Sequence, residues 1–318
     1  MKLLWCTCVA ISVLLLPLPT NIFAQNSEFY NQVILYGTDS DIASAFIEVT
    51  ENLGNDINGK ILLLFGEEHS IDVYSALVRY VAAAGLAEAE ETLINELYNG
   101  PADEDYREGV IYALGRVGKS ASLEALKRYY FNYKSTKRIK RAIIDAWGQI
   151  GDIGIEDALI QIVTDSRVDD ELKARAVLAL GQVKSMRSLD LLEEIARNRY
   201  ENKYLRMYAV HSLGEIGGES VLSVLGELLR DETHEVAEYA VKSISGINSD
   251  KSGEYLVQAL RSDFDSVRYF AVIGLAEMKY ADAVEILTFK AEYDTNEKVR
   301  EEAKKALEMI RGSDESDS

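Results

Sequence analysis

Cysteine is nearly missing from this chain: the two present among 318 residues, Cys6 and Cys8, stand at its very beginning. Everything after them must hold together without disulfides or thiolate metal sites. Proline is almost as scarce, with three residues, two of them before position 20, so hardly anything interrupts a helical pattern. The three histidines, His69, His211 and His234, are far apart, and there is neither an H-E-x-x-H run nor a glycine-rich phosphate loop. Positive charge is also in deficit, with 34 Lys and Arg against 53 Asp and Glu and a net charge of −19. That balance opposes general association with nucleic acid or anionic lipid, both of which need a net positive footprint.

A long apolar run occurs only at the start, where Lys2 precedes an apolar stretch through Leu18 and Ile22-Phe23-Ala24 leads to polar Gln25. A positive end, a short apolar core and a small exit residue read as a secretory signal peptide over 1–24. The run is short for a membrane span and carries prolines, so no stable span is expected after cleavage. Cleavage would remove both cysteines and make the charge balance more negative still. Export across the inner membrane, to the periplasm, is the expected localisation.

What the chain does have is repetition. A small residue returns at Ala82, Gly115, Gly148, Gly181 and Gly214, each 33 residues on, and the series continues at Ser245, Ala276 and Glu308. The residue before this beat is always apolar (Val81, Leu114, Trp147, Leu180, Leu213, Ile244, Leu275, Leu307), and the residue two before is small in most units. Apolar spacings of three and four make one stripe of an α-helix, and small residues let a neighbouring helix come close. A second apolar helix follows each beat after a short turn, as at Leu123–Tyr130, Ala158–Val163 and Leu189–Ile195. Stacked helical hairpins at a fixed period make a solenoid.

Val267-Arg268 with Ala271, and Leu205-Arg206 with Ala209, Leu213, Gly214 and Gly217, resemble the HEAT-repeat family, in particular its short bacterial form related to phycobilin-lyase repeats. The resemblance covers about residues 70 to 311 and implies an all-α superhelix of HEAT/armadillo type with about eight repeats. For function it implies little, because the family ranges from scaffolds to enzymes. Iron-dependent hydroxylases of this fold use several His-Glu pairs, whereas this chain has only His234-Glu235 in that order. DNA glycosylases of the fold present a basic concave face, which the net charge opposes.

Residues 25–66 precede the repeats and read as a helical N-terminal cap, with a helix over Ser40–Leu53 capped by Asp39 or Ser40 and broken by Gly54 to Gly59. The repeats are assigned to 67–311, and 312–318 read as a disordered acidic tail. A basic column stands eight places before the beat: Arg107, Lys140, Lys173, Arg206, Arg268 and Arg300. Most members follow loop acids, which favours a structural role, and the family resemblance implies that such pairs join successive units in a ladder along the stack.

Lys140 departs from this pattern, since the loop before it contains no acid. Lys127, Arg128, Lys134, Lys137, Arg138, Lys140 and Arg141 form an acid-free basic run with Tyr129 and Tyr133, and a weaker echo follows at Arg197, Arg199, Tyr200, Lys203 and Tyr204, running on to Arg206 and Tyr208. These, apart from Arg206 and Tyr208, are the candidate partner-binding residues. Arginine offers forked hydrogen bonds and tyrosine flat amphipathic area. The competing structural reading is a solvated loop whose charges pair with the acids of adjacent units, with Tyr130 and Phe131 in the core.

The sequence thus leads to an exported, non-enzymatic scaffold that binds an envelope protein. Its expected contacts are the concave side, assigned to the second helices, and the basic-aromatic loop edge. No catalytic residue, metal or cofactor is assigned, and the oligomeric state is left open. An envelope enzyme, a lyase or hydrolase with its site assembled in the groove, is the alternative.

Overall fold

The computed structural model describes residues 27–133 and 135–314, without the side chains of 312–314. The expected signal peptide at 1–24, Lys134, and the last residues of the expected tail lie outside the described residues. Everything described is helix, 3-10 turn or loop, with no strand. The chain divides into two compact units, one ending at Leu86 and one starting at Ala87.

The first unit holds α1 (Ser27–Tyr36), α2 (Asp39–Phe46), α3 (Asn55–Leu64) and α4 (Ile71–Ala84). Its core is aromatic: Phe46 is fully buried between Tyr30 at 5.2 Å and Tyr80 at 5.4 Å. The Tyr80 hydroxyl donates to Asn58 at 2.8 Å and accepts from the Leu53 backbone at 3.0 Å, and Asn58 donates to Asn52 at 2.7 Å. The helix expected over Ser40–Leu53 starts a residue earlier, because Thr38 rather than Asp39 or Ser40 caps it in a reciprocal box with Asp41, and it ends at Phe46 rather than Leu53. Asp39 is engaged elsewhere, accepting from the Ser70 backbone at 2.6 Å and lying 2.8 Å from the His69 ring. Gly54 does break the chain, with φ of 100°, yet Gly59 lies inside α3. The buried stripe of Ile57, Ile61 and Leu64 outweighs the roughly 1 kcal/mol that an interior glycine costs a helix.

The second unit repeats one hairpin. The beat-bearing helices are α6 (Glu104–Val117), α8 (Lys137–Ile150), α10 (Asp170–Gln182), α12 (Lys203–Ile216), α14 (His234–Ser245), α16 (Asp265–Glu277) and α18 (Glu297–Asp314). Between them run the second helices α5 (Glu90–Asn99), α7 (Ser120–Asn132), α9 (Glu156–Thr164), α11 (Leu189–Arg197), α13 (Leu222–Leu228), α15 (Asp250–Ala259) and α17 (Val284–Tyr293). Side-chain oxygens start several beat helices: Asp103 accepts from the Tyr106 amide, Thr136 from Ile139, Asp169 from Glu171 and Leu172, and Asn202 from Tyr204.

The beat is where successive helices touch. A Cβ placed on Gly115 would stand 3.0 Å from Ala146 Cα, and one on Gly181 would stand 2.8 Å from Ser212 Cα. The small residue at the beat therefore meets the small residue two before the next beat. Ser212 and Ser243 hide their hydroxyls there by donating to the carbonyls of Val177 and Val210, at 2.8 and 3.1 Å. Where the beat becomes Ser245, the opposing position becomes Gly274, so the bulk changes sides and the approach is kept.

This close packing reverses one expectation. The beat helices pack directly on one another from α6 through α18, whereas the second helices make few contacts among themselves. The layer with the closer spacing forms the inner arc of this unit, so the concave side belongs to the beat helices and not to the second helices.

Candidate functional site

The basic run of the sequence is placed between two acidic helices. Lys137 reaches Glu171 at 2.7 Å and Asp169 at 3.1 Å on one side, and Arg138 reaches Asp105 at 2.6 Å and also Glu108 on the other. Arg141 spans both neighbours, 3.7 Å from Glu108 and 3.5 Å from Glu171. The charges of α8 are thus complementary to those of α6 and α10, which explains a run without acids of its own. Hydrogen bonds from Lys137 draw the Glu171 carboxyl below the usual carboxylate range, and the same contacts push the Lys137 ammonium up. The echo behaves alike: Arg197 pairs with Glu193 and Glu227 at 2.7 and 3.0 Å, Arg199 with Glu232 at 2.9 Å, and Lys203 with Glu235 at 2.6 Å.

Not every member is engaged in this way. Lys127 lies 4.0 Å from Glu124, and Arg128 is exposed with no ion pair among the described residues. Tyr129 is buried and stacks flat on half-exposed Tyr133 at 4.7 Å, with Tyr98 5.7 Å from each. Tyr200 is fully exposed. Tyr130 is buried against Trp147 at 5.3 Å, its phenol pushed up to about 12 by burial, while Phe131 is exposed rather than in the core.

The ladder exists, but its rungs run forward along the chain. Arg206 pairs with Asp231 at 2.5 Å, and Arg268 grips Asp294 with two bonds of 2.9 Å, all four side chains being buried. Each acid belongs to the loop that follows the next helix and leads into the next beat helix, not to the loop before the arginine. Lys140 is therefore no exception through its preceding loop, since Asp165 holds the place corresponding to Asp231. Asp165 instead pairs with Arg167 at 2.8 Å, and the Lys140 ammonium lies over the Tyr130 ring at 5.3 Å. Asparagine holds the acid's place at Asn132 and Asn198, opposite Arg107 and Lys173.

The beat helices leave open clefts between neighbours, with no residue of the second helices in their walls. One of about 380 Å³ between α6 and α8 is lined by Tyr112, Glu108, Arg141, Asp145 and Gln149. A second, of about 260 Å³ between α10 and α12, has Arg175, Asp170, Tyr204 and Tyr208 on its walls. A third, of about 300 Å³ between α12 and α14, is lined by His211, Glu215, Tyr239, Lys242 and Ser243. Burial raises the Asp145 carboxyl although Arg175 and Arg141 pull the other way. Of the candidate partner-binding residues, Arg141 and Tyr204 line these clefts.

The aromatic lining was missed in the sequence as a set, Tyr204 and Tyr208 entering only as part of the basic echo. Its signal is a column six places before the beat, Tyr208, Tyr239 and Phe270, which a search confined to charge runs passes over. Among the described residues no group of three His, Cys, Asp or Glu side chains is placed to hold a metal ion. His234 and Glu235 do not converge with the other histidines. His234 lies 2.6 Å from Ser266, and Glu235 is taken by Lys203. No helix among the described residues is long and apolar enough to cross a membrane.

Comparison with known proteins agrees with this architecture. The family profile of HEAT repeats matches residues 155–245, 199–268 and 253–318. No curated protein sequence matches the chain. Similar solved structures include human deoxyhypusine hydroxylase in complex with glycerol, 15% identical over 90% of this chain and 98% of that one, with a TM-score of 0.37. The CpcE–CpcF complex of phycocyanin lyase from a Nostoc species is 21% identical over 69% of this chain and 86% of that one, with a TM-score of 0.43. An engineered protein is 19% identical over 91% and 92% of the two chains, with a TM-score of 0.42. These likenesses are of fold alone.

Proposed function

The chain belongs to the HEAT-repeat family, and on that premise we propose that it is an exported, non-enzymatic adaptor of the bacterial envelope that binds another protein along its beat helices. The observation that carries this reading is the face of α12, α14 and α16. There half-buried Tyr208 and Tyr239 border open clefts and half-buried Phe270 continues the same column under Lys242, whereas the basic residues of the loop edge are largely taken up by pairs between repeats. Aromatic side chains supply large contact area at low conformational cost, which suits a protein interface. Arg128, Tyr133 and Tyr200, which are exposed at the loop edge, are proposed as flanking contacts. The cleft linings favour this over an envelope enzyme, because tyrosines stand there among acids and the cations Arg141, Arg175 and Lys242, with His211 as the one histidine in the three clefts. Export is proposed on Lys2 and the apolar run through Leu18.

The test uses the full chain carrying a C-terminal tag in its own cell. A mature N-terminus at Gln25, recovery in the periplasmic fraction and co-purification of one protein in fixed ratio are expected. An uncleaved chain in the cytoplasm, or no partner at any salt concentration, would overturn the reading.

A further inference from the structure

We propose that the cleft between α12 and α14 takes up a lysine or arginine side chain of the partner, an inference that rests on the adaptor reading above. The chain already makes this arrangement with one of its own residues, one repeat further on. Lys242, three places before the beat at Ser245, holds its ammonium 4.0 Å from the centroid of Phe270 on the next helix and 5.8 Å from that of Tyr239 on its own. Glu238 balances the charge at 2.6 Å. Between α14 and α16 the solenoid thus has an aromatic slot for a cation and fills it itself.

The preceding repeat has the same frame with no cation from its own helix α12, although Lys242 of α14 reaches the Tyr239 ring at 5.8 Å. His211 stands in the position of Lys242, and Tyr239 in that of Phe270. The imidazole is shorter than a lysine chain and meets Tyr239 edge-on at 6.1 Å, so a space of about 300 Å³ remains above Gly214, Ser243 and Gly246. The carboxylate has moved as well. Met207 occupies the place of Glu238, and Glu215 on the cleft wall supplies the acid, with no ion pair among the described residues. Lys242 also borders the cleft, but its charge is held by Glu238 and faces Phe270. An aromatic face beside a carboxylate, in a protein of net charge −19, suits a basic side chain from a basic partner.

The probes are blocked Gly-X-Gly tripeptides in which X is lysine, arginine, methionine or glutamate, titrated into the full chain. The lysine or arginine peptide should move the imidazole proton resonances of His211 saturably and leave those of His69 and His234 in place. In calorimetry the His211→Lys variant, which copies Lys242 and fills the slot, should lose the binding. Tyr239→Leu should weaken it severalfold, with far-UV circular dichroism confirming that both variants fold. No shift at His211, an equal shift with the methionine or glutamate peptide, or undiminished binding to His211→Lys would overturn the proposal. Partner capture separates the two readings. Capture by the natural chain that His211→Lys leaves unchanged refutes the slot and keeps the adaptor. Failure of the natural chain to capture anything, with the peptide shift intact, refutes the adaptor and keeps the slot.

Discussion

At the scale of single residues, the same substitution should act with opposite sign at two glycines. In Gly181→Ala the new methyl would press on Ser212 Cα and Cβ at 2.8 Å, and overpacking of that kind costs about 1–3 kcal/mol against the roughly 1 kcal/mol that alanine gains in a helix. Gly59 lies inside α3 with nothing within 4 Å of an added Cβ, so Gly59→Ala should stabilise by about 1 kcal/mol. Thermal unfolding followed by far-UV circular dichroism measures both. Two arginines should differ in the same way. Arg138→Ala removes exposed, solvent-screened pairs and should change stability little, whereas Arg206→Ala leaves Asp231 buried without its partner and should cost about 3–5 kcal/mol. Urea unfolding read by Trp147, which is fully buried and the only tryptophan apart from Trp5, should separate these variants.

At the scale of elements, the two rungs tie α12 and α16 to the loops that lead into the next beat helices, and that tie depends on pH. Burial alone would raise the Asp294 carboxyl, but bonds from Arg268, the Asn296 backbone and Lys290 outweigh it and hold it at about 2. A carboxyl depressed in the folded state adds stability that is complete above its ordinary value of 3.8 and is lost as the pH falls through about 2. Asp231 is lowered for the same reason by Arg206 and the Thr233 amide, despite its burial. Stability should therefore drop between about pH 4 and pH 2, and Asp294→Asn should flatten that drop in acid titrations monitored by Trp147.

The elements also show what the sequence could and could not reveal. The beat helices were legible because one residue in each repeat must be small and its neighbours apolar, a constraint that writes itself at a fixed spacing. The direction of the ladder was not, since Arg206 has Glu201 nearby in sequence and Asp231 only across a hairpin. For the same reason the basic run around Lys137 looked unmatched: its acids, Asp105, Glu108 and Glu171, are about one repeat away along the chain and adjacent in space. The aromatic column of Tyr208, Tyr239 and Phe270 was present in the alignment, but which columns face a cleft follows only once the close-packed layer is known.

At the scale of the whole molecule, the chain combines a strong net negative charge with basic residues that are largely committed to its own repeats. The charge left over for other molecules is acidic, and the aromatic area left over lies on the inner helices. A partner recognised by such a surface is basic, and its binding should weaken as salt rises, because exposed charges are screened beyond about 10 Å at 0.1 M. The central claim is that contact runs along the beat helices with the loop edge as a flank. The most direct test is capture of the partner from envelope extract by three forms of the full chain: the natural one, a face variant with Tyr208→Ala and Tyr239→Ala, and an edge variant with Arg128→Glu and Tyr133→Ser. The account predicts that the natural chain and the edge variant retain the partner, the latter with at most a few-fold loss, while the face variant loses it by tenfold or more. Retention by the face variant together with loss by the edge variant would contradict it.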